Sequence, residues 1–287
     1  MSRMTYYLPP TARYQPLRLG DKPLYDTFSH GVTIVQPQAK YPGTNMGITA
    51  ENVAAYYHIT REELDAFAVD SQRKTKAAQD AGKFKDEIFP FEVKERKSSF
   101  LFDTDEHPKP DTTMESLAKL KPAFKPDGIV TAGNSSGMND GSSAVVIMSE
   151  DKALELGLKP LVRILATSSA GVDPRYMGLG PVPAIRKVLK KTGLQLEDMD
   201  LIELNEAFAA QSLGCLKELG MDMGTELYKR VNVNGGAIAH GHALANSGTR
   251  LLTTLIYEMK RRNARYGLES LCIGGGQGMA VIVENCQ

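Results

Sequence analysis

Cysteine is scarce in this 287-residue chain. The three present, Cys215, Cys272 and Cys286, form an odd and scattered set. Such a set does not read as a disulfide framework and points to a reducing compartment, cytoplasm or an organelle matrix. Surplus charge is absent too: Lys+Arg and Asp+Glu both total 34, for a formal net charge of zero. That balance argues against nucleic acid as the main partner and suits a chain that hides area in a homo-oligomer. No apolar run approaches the roughly 20 residues of a membrane span, so a membrane partner is not expected. Met1 to Pro10 shows no secretory pattern, and Glu284 to Gln287 carries no lipidation or address motif. Internal repeats and low-complexity tracts are missing. What is present is 42% hydrophobic residues, enough core for two modest domains or one large one.

The two halves differ in texture. Residues 1–155 are irregular. A polar, Pro-containing stretch, Tyr6 to Pro23, precedes a helical region with capping-box spacing at Thr60 and Glu63 that runs to Gly82, a helix stop. Lys83 to Asp111 is charged and reads as loops and edge hairpins. A Gly/Asn/Ser-rich loop, Thr131 to Gly137, leads to an apolar strand expected at Ala144 to Met148. Residues 156–287 are regular. Strands are predicted at Leu161 to Ala166, Leu201 to Leu204, Val231 to Val233, Ser270 to Ile273 and Met279 to Val283. Helices are predicted at Pro183 to Lys191, Ala207 to Leu219 and Ser247 to Arg262. The order βαβαβαββ implies an α/β fold with a mainly parallel sheet covered on both faces.

Three loops follow strands in this half, and ligands in open α/β sheets bind at the carboxyl ends of strands. The first is Asn205 to Ala209. Asn205 serves either as a helix cap or as an amide that holds a water or an oxyanion. Glu206 reads as a first-turn acid favoured by the helix dipole, and Phe208 as core or pocket lining. The second, Val231 to His242, has small residues that let backbone approach a ligand closely. Its histidine either packs locally or performs acid–base work near neutral pH. The third runs from Leu271 to Gly278. Cys272 is either an inert small hydrophobe or a tuned thiol beside glycine N–H groups that serve an anion. Cys215 and Cys286 lack this setting and read as structural or incidental. No metal site is expected.

Asn-Glu-Ala-Phe at 205–208, Gly-Gly-Ala-Ile-Ala-His-Gly-His at 235–242 and Cys-Ile-Gly-Gly-Gly at 272–276 resemble the three C-terminal signatures of thiolases. The segments 131–137 and 46–51 look like thiolase segments too, in family order, so the resemblance covers nearly the whole chain. It implies a duplicated fold of two βαβαβαββ halves. Residues 156–287 would be the C-terminal half, and 1–155 a loop domain plus the closing strands of an incomplete N-terminal half. It implies acyl-CoA C-acyltransferase chemistry, a reversible Claisen condensation and thiolysis of acetoacetyl-CoA or 3-ketoacyl-CoA as in fatty acid metabolism. Coenzyme A thioesters are then substrates, and no further cofactor is required. Carried over by position, His242 would activate the nucleophile and donate to one oxyanion hole, and Asn205 would hold that hole's water. Cys272 would be the acid–base thiol, and Gly274 N–H would serve the second hole. Ser136, Ala132 and Phe124 would line the pantetheine channel; Met46 and Phe208 would border the acyl pocket.

The sequence departs from the family pattern in places. Ala243 stands where Pro is usual, Ala245 and Asn246 where Gly and Ala are common, and His240 where an aliphatic residue is usual. Asn45 precedes Met46 where short-chain biosynthetic members have His. These changes bear on acyl preference rather than chemistry. The family's nucleophilic cysteine belongs ahead of a segment resembling Met1-Ser2-Arg3. None of the three cysteines here lies in a comparable strand-to-helix elbow, so a complementing N-terminal thiolase segment is expected. The alternatives are a non-catalytic fragment or scaffold, and a free-standing hydrolase using Cys272 and His242.

Overall fold

The computed structural model describes Ser2, residues 4–8 and residues 23–287; most of the polar stretch ending at Pro23 lies outside the described residues. Near the N-terminus, β1 (Tyr6–Tyr7) pairs antiparallel with β2 (Tyr25–Asp26), and α1 (Thr27–Ile34) follows. Asn45 caps α2 (Met46–Tyr56), its side chain accepting from Ile48 N–H. The predicted capping box opens α3 (Arg61–Asp80): Thr60 N–H donates to Glu63, and Glu63 N–H donates to Thr60 Oγ1. The charged stretch holds the expected hairpin, β3 (Phe91–Lys94) against β4 (Ser99–Phe102). Two short helices, α4 (Met114–Ala118) and α5 (Glu150–Glu155), lead into the second half.

That half runs β5 (Val162–Gly171), α6 (Pro181–Thr192), β6 (Leu201–Leu204), α7 (Ala209–Leu219), the one-turn α8 (Ala237–His240), α9 (Ser247–Arg262), β7 (Tyr266–Ile273) and β8 (Gln277–Asn285). The four strands form one sheet in the order β5-β8-β7-β6. Successive side chains of a strand face opposite sides, and β6 shows it. Ile202 and Leu204 join Leu268 and Ile282 in a core with Ile185, Val188 and Leu216 of α6 and α7. Leu201 and Val283 instead meet Leu255 and Met259 of α9. Both faces are thus covered, as expected. Gly267 lets α9 lie close to β7, because a Cβ there would come within 2.5 Å of Met259 Sδ.

Four expectations need correction. The sheet is mixed: β6 and β7 are parallel, but β8 is antiparallel to both its neighbours. A short glycine turn joins β7 to β8, and a connection that short can only reverse the chain; parallel neighbours need a crossover of a dozen or more residues. Residues 144–148 form no strand, and Val146 and Ile147 are 85% and 70% exposed. An apolar run becomes a strand only where a second backbone accepts its hydrogen bonds, and no described segment pairs with this one. Only Val231 of the predicted third strand bridges the sheet, to Ile202. Asn232 then turns to φ 44°, and its amide bonds both Leu204 N–H and Leu204 C=O at 2.8 Å. A side chain here replaces a rung of the ladder. Finally, α7 starts at Ala209 rather than Ala207.

Candidate active site

Because β6 and β7 run parallel, their carboxyl ends lie together. Leu204 pairs with Ser270, and Asn205 N–H donates to Ser270 O at 3.0 Å. Asn205 and Cys272 therefore sit at one edge of adjacent strands. Asn205 is not a helix cap, since α7 begins four residues later. Its side chain is wholly buried, and among the described residues neither Nδ2 nor Oδ1 has a partner. An unpaired buried amide costs roughly 1–3 kcal/mol.

Glu206 is likewise not a first-turn acid. It lies ahead of α7, buried, and accepts from Ser71 Oγ at 2.6 Å, Asn232 Nδ2 at 2.8 Å and Ile238 N–H at 3.2 Å. It ties α3, the Asn232 turn and α8 into one frame. Small residues allow that frame to close. A Cβ on Gly236 would fall 2.3 Å from the Glu206 carboxyl carbon.

The Gly/Asn/Ser loop docks on this frame. Ser136 donates to Ala207 O from both N–H (3.1 Å) and Oγ (3.0 Å), and Ala209 N–H donates to Asn134 O at 2.9 Å. His242 N–H donates to Gly137 O at 2.9 Å, so the histidine loop and the serine loop meet. His242 Nδ1 lies 2.6 Å from Ser247 Oγ, at the start of α9. Burial, seconded by the Arg250 cation, pushes the imidazole down to about 4. Burial pushes the Cys272 thiol up to about 12. At neutral pH His242 is therefore a free imidazole base and Cys272 a protonated thiol, two forms suited to proton transfer.

The remaining candidates form a second wall. The Phe124 and Phe208 rings meet edge to face at 5.9 Å. Gly47 admits Phe124, since a Cβ there would strike its ring. The Met46 methyl lies 3.2 Å from where a Gly274 Cβ would stand, with Val35 closer still at 2.8 Å. Gly276 has φ +93°, and a Cβ there would lie 2.5 Å from Val172 O, so this turn accepts glycine alone. Ala132 is exposed on its turn. His240 turns away from His242. Its Nε2 lies 3.1 Å from Asn234 O and its ring meets Phe84 edge to face at 5.1 Å. Cys215 is structural, buried and donating to Gly178 O; Cys286 is exposed at the tail. Among the described residues no cluster could hold a metal ion, and no helix is long and apolar enough to cross a membrane.

Sequence reasoning passed over Ser247, Arg250 and Val35. Ser247 carried a signal, a hydroxyl at the first position of a predicted helix five residues past His242. Val35 carried none.

Family models for the thiolase N-terminal domain and the thiolase C-terminal domain match residues 1–151 and 158–285. The chain belongs to the thiolase family. This thiolase chain is 52% identical over 285 residues to an acetyl-CoA acetyltransferase of Allochromatium vinosum, covering 99% of the chain and 70% of that protein. It superposes on the crystal structure of the Bacillus anthracis acetyl-CoA acetyltransferase with a TM-score of 0.89 at 47% identity, covering 98% of this chain and 68% of that one. Human mitochondrial 3-ketoacyl-CoA thiolase in complex with CoA gives a TM-score of 0.90 at 45% identity, covering 100% and 68%.

Proposed function

We propose that this chain carries the acid–base half of an acyl-CoA C-acyltransferase site, acting on acetoacetyl-CoA or a related 3-ketoacyl-CoA. One observation carries the reading: Asn205 and Cys272 close adjacent strand ends, and the His242 loop docks through Gly137 on the serine loop that Ala207 holds beside them. The relatives' names supply the substrate class. In thiolysis, a cysteine thiolate attacks the 3-keto carbon and the Cα–Cβ bond breaks. The acyl group stays on that cysteine, and the departing enolate takes its proton from Cys272. The thiol of coenzyme A then displaces the acyl group. His242 accepts the nucleophile's proton and, with a water held by Asn205, serves one oxyanion hole; Gly274 N–H serves the second. Ser136, Ala132 and Phe124 line the approach of the pantetheine arm, with Met46 and Phe208 at the acyl group. The substrate thioester is the only coenzyme this chemistry requires.

The nucleophile is not among the three cysteines. Cys215 is walled in, Cys286 lies at the tail, and Cys272 holds its proton. We assign it to a part of the enzyme outside these 287 residues. We take 1–155 as loop domain and N-terminal-half remainder and 156–287 as the C-terminal half; the family-model matches support that division. Assembly as a homo-oligomer in the cytoplasm completes the reading. The test is acetoacetyl-CoA thiolysis by the purified chain, alone and mixed with an N-terminal thiolase segment. Activity only in the mixture, lost in Cys272→Ala and His242→Ala, is expected. Turnover by the chain alone overturns the missing nucleophile, and a folded but inactive mixture overturns the enzyme.

A further inference from the structure

Ser247 and Arg250 are three residues apart in α9, so they share one face of the helix. Ser247 Oγ holds His242 Nδ1. Arg250 is partly buried; its Nη2 is shielded from solvent, and among the described residues it has no hydrogen-bond partner and Arg250 makes no ion pair. The groups around it are acidic and come from three elements. Glu203 of β6 and Glu269 of β7 are register partners. Both face α9, since Glu203 is two residues past Leu201 and Glu269 Oε1 lies 3.6 Å from where a Gly248 Cβ would stand. Glu87 reaches in from the loop after α3, and Thr254 Oγ1 donates to it at 3.3 Å. Farther along the helix, Glu258 is already engaged by Lys83, Arg261 and Arg262.

We propose, building on the acyltransferase reading, that Arg250 is a positioning residue for His242: from the same helix face it supplies the positive field that keeps the imidazole unprotonated while Ser247 aims it. The two strand acids do not cancel that field at neutral pH. Burial lifts Glu203 and Glu269 to about 8 and Glu87 to about 7, against the pull of Arg250. The two strand carboxyls therefore keep their protons, and the cation beside them stays without a contact counter-charge. Burial and, after it, the Arg250 charge hold the His242 imidazole below its ordinary value. An arginine suits the task because it cannot give up its proton.

The experiment is a nuclear magnetic resonance titration of the 287-residue chain with labelled histidines, His242 being assigned through His242→Asn. It needs no turnover, so a failed thiolysis assay and a failed titration are separate results. In the parent chain His242 stays neutral well below the ordinary 6.5. Arg250→Met raises its midpoint by about one pH unit, the size of a unit charge acting across several ångströms of protein; Arg250→Lys leaves it near the parent value. Glu269→Gln exchanges neutral for neutral and also leaves it unmoved. A midpoint equally low in Arg250→Met means burial acts alone and overturns the proposal. So does a parent midpoint near 6.5, which decides the matter even if Arg250→Met fails to fold. A large fall in Glu269→Gln would make Glu269 a charged counter-ion and overturn it as well.

Discussion

Removing the Glu258 charge should weaken this fold measurably. Its carboxylate is 2% exposed and accepts from Asn234 Nδ2 at 3.0 Å, Arg261 Nε at 2.8 Å, Arg262 Nε at 2.6 Å and Lys83 Nζ at 3.1 Å. Burial alone would raise its pKa; the four donors outweigh burial and hold it at about 2, against an ordinary 4.5. At about 1.4 kcal/mol per tenfold change, that depression is worth about 3 kcal/mol. The sign follows from proton counting. Below 4.5 the unfolded chain binds a proton that the native chain does not, so the contribution is complete above about 4.5 and fades as pH falls through about 2. Glu258→Gln keeps the shape and removes the charge. Urea unfolding at pH 7 should show a loss of about 3 kcal/mol, within the range for breaking a buried ion network. The gap between parent and variant should close as pH drops toward 2. Equal stability at pH 7, or a gap that does not change with pH, would refute the reasoning.

The buried pair Glu203 and Glu269 has the opposite sign. Their native values are raised to about 8, so the native chain holds protons the unfolded chain has lost, and stability falls as pH rises from about 4.5 through 8. Glu269→Gln should flatten that decline and leave the chain more stable than the parent at pH 9, read by thermal melting across pH. Gly276→Ala should cost upwards of about 2 kcal/mol in urea unfolding, because left-handed backbone and the Val172 carbonyl both oppose a Cβ. Asn205→Ala should not lower stability in urea unfolding, since the lost amide has no partner among the described residues. It should still abolish thiolysis in the complemented mixture, as measured by the loss of acetoacetyl-CoA absorbance.

How much of this was legible in the sequence depends on the range of the interactions involved. The Thr60 capping box, β6 and α9 are set by neighbours within a few residues, and each lies at its expected place. The three loops could be located because glycine and histidine at strand ends are local signals. What failed depended on distant partners. The run at 144–148 has strand chemistry without a pairing edge. Asn232 ends a predicted strand by using its own amide on Leu204. Glu206 has the look of a dipole-favoured acid, but Ser71, 135 residues earlier, claims it. Arg250 reads as one more basic residue on an amphipathic helix until the sheet brings Glu203 and Glu269 beneath it.

The uncovered run at 144–148 has a use as a clock. Its backbone amides are open to solvent deuterium and should exchange within the dead time of a mixing experiment. If a partner's strand is laid along them, each amide gains a carbonyl to bind, and exchange slows by the protection of a sheet interior. The appearance of protection at Val145 to Met148 would then time the docking event itself, separately from any bond made or broken at His242 and Cys272.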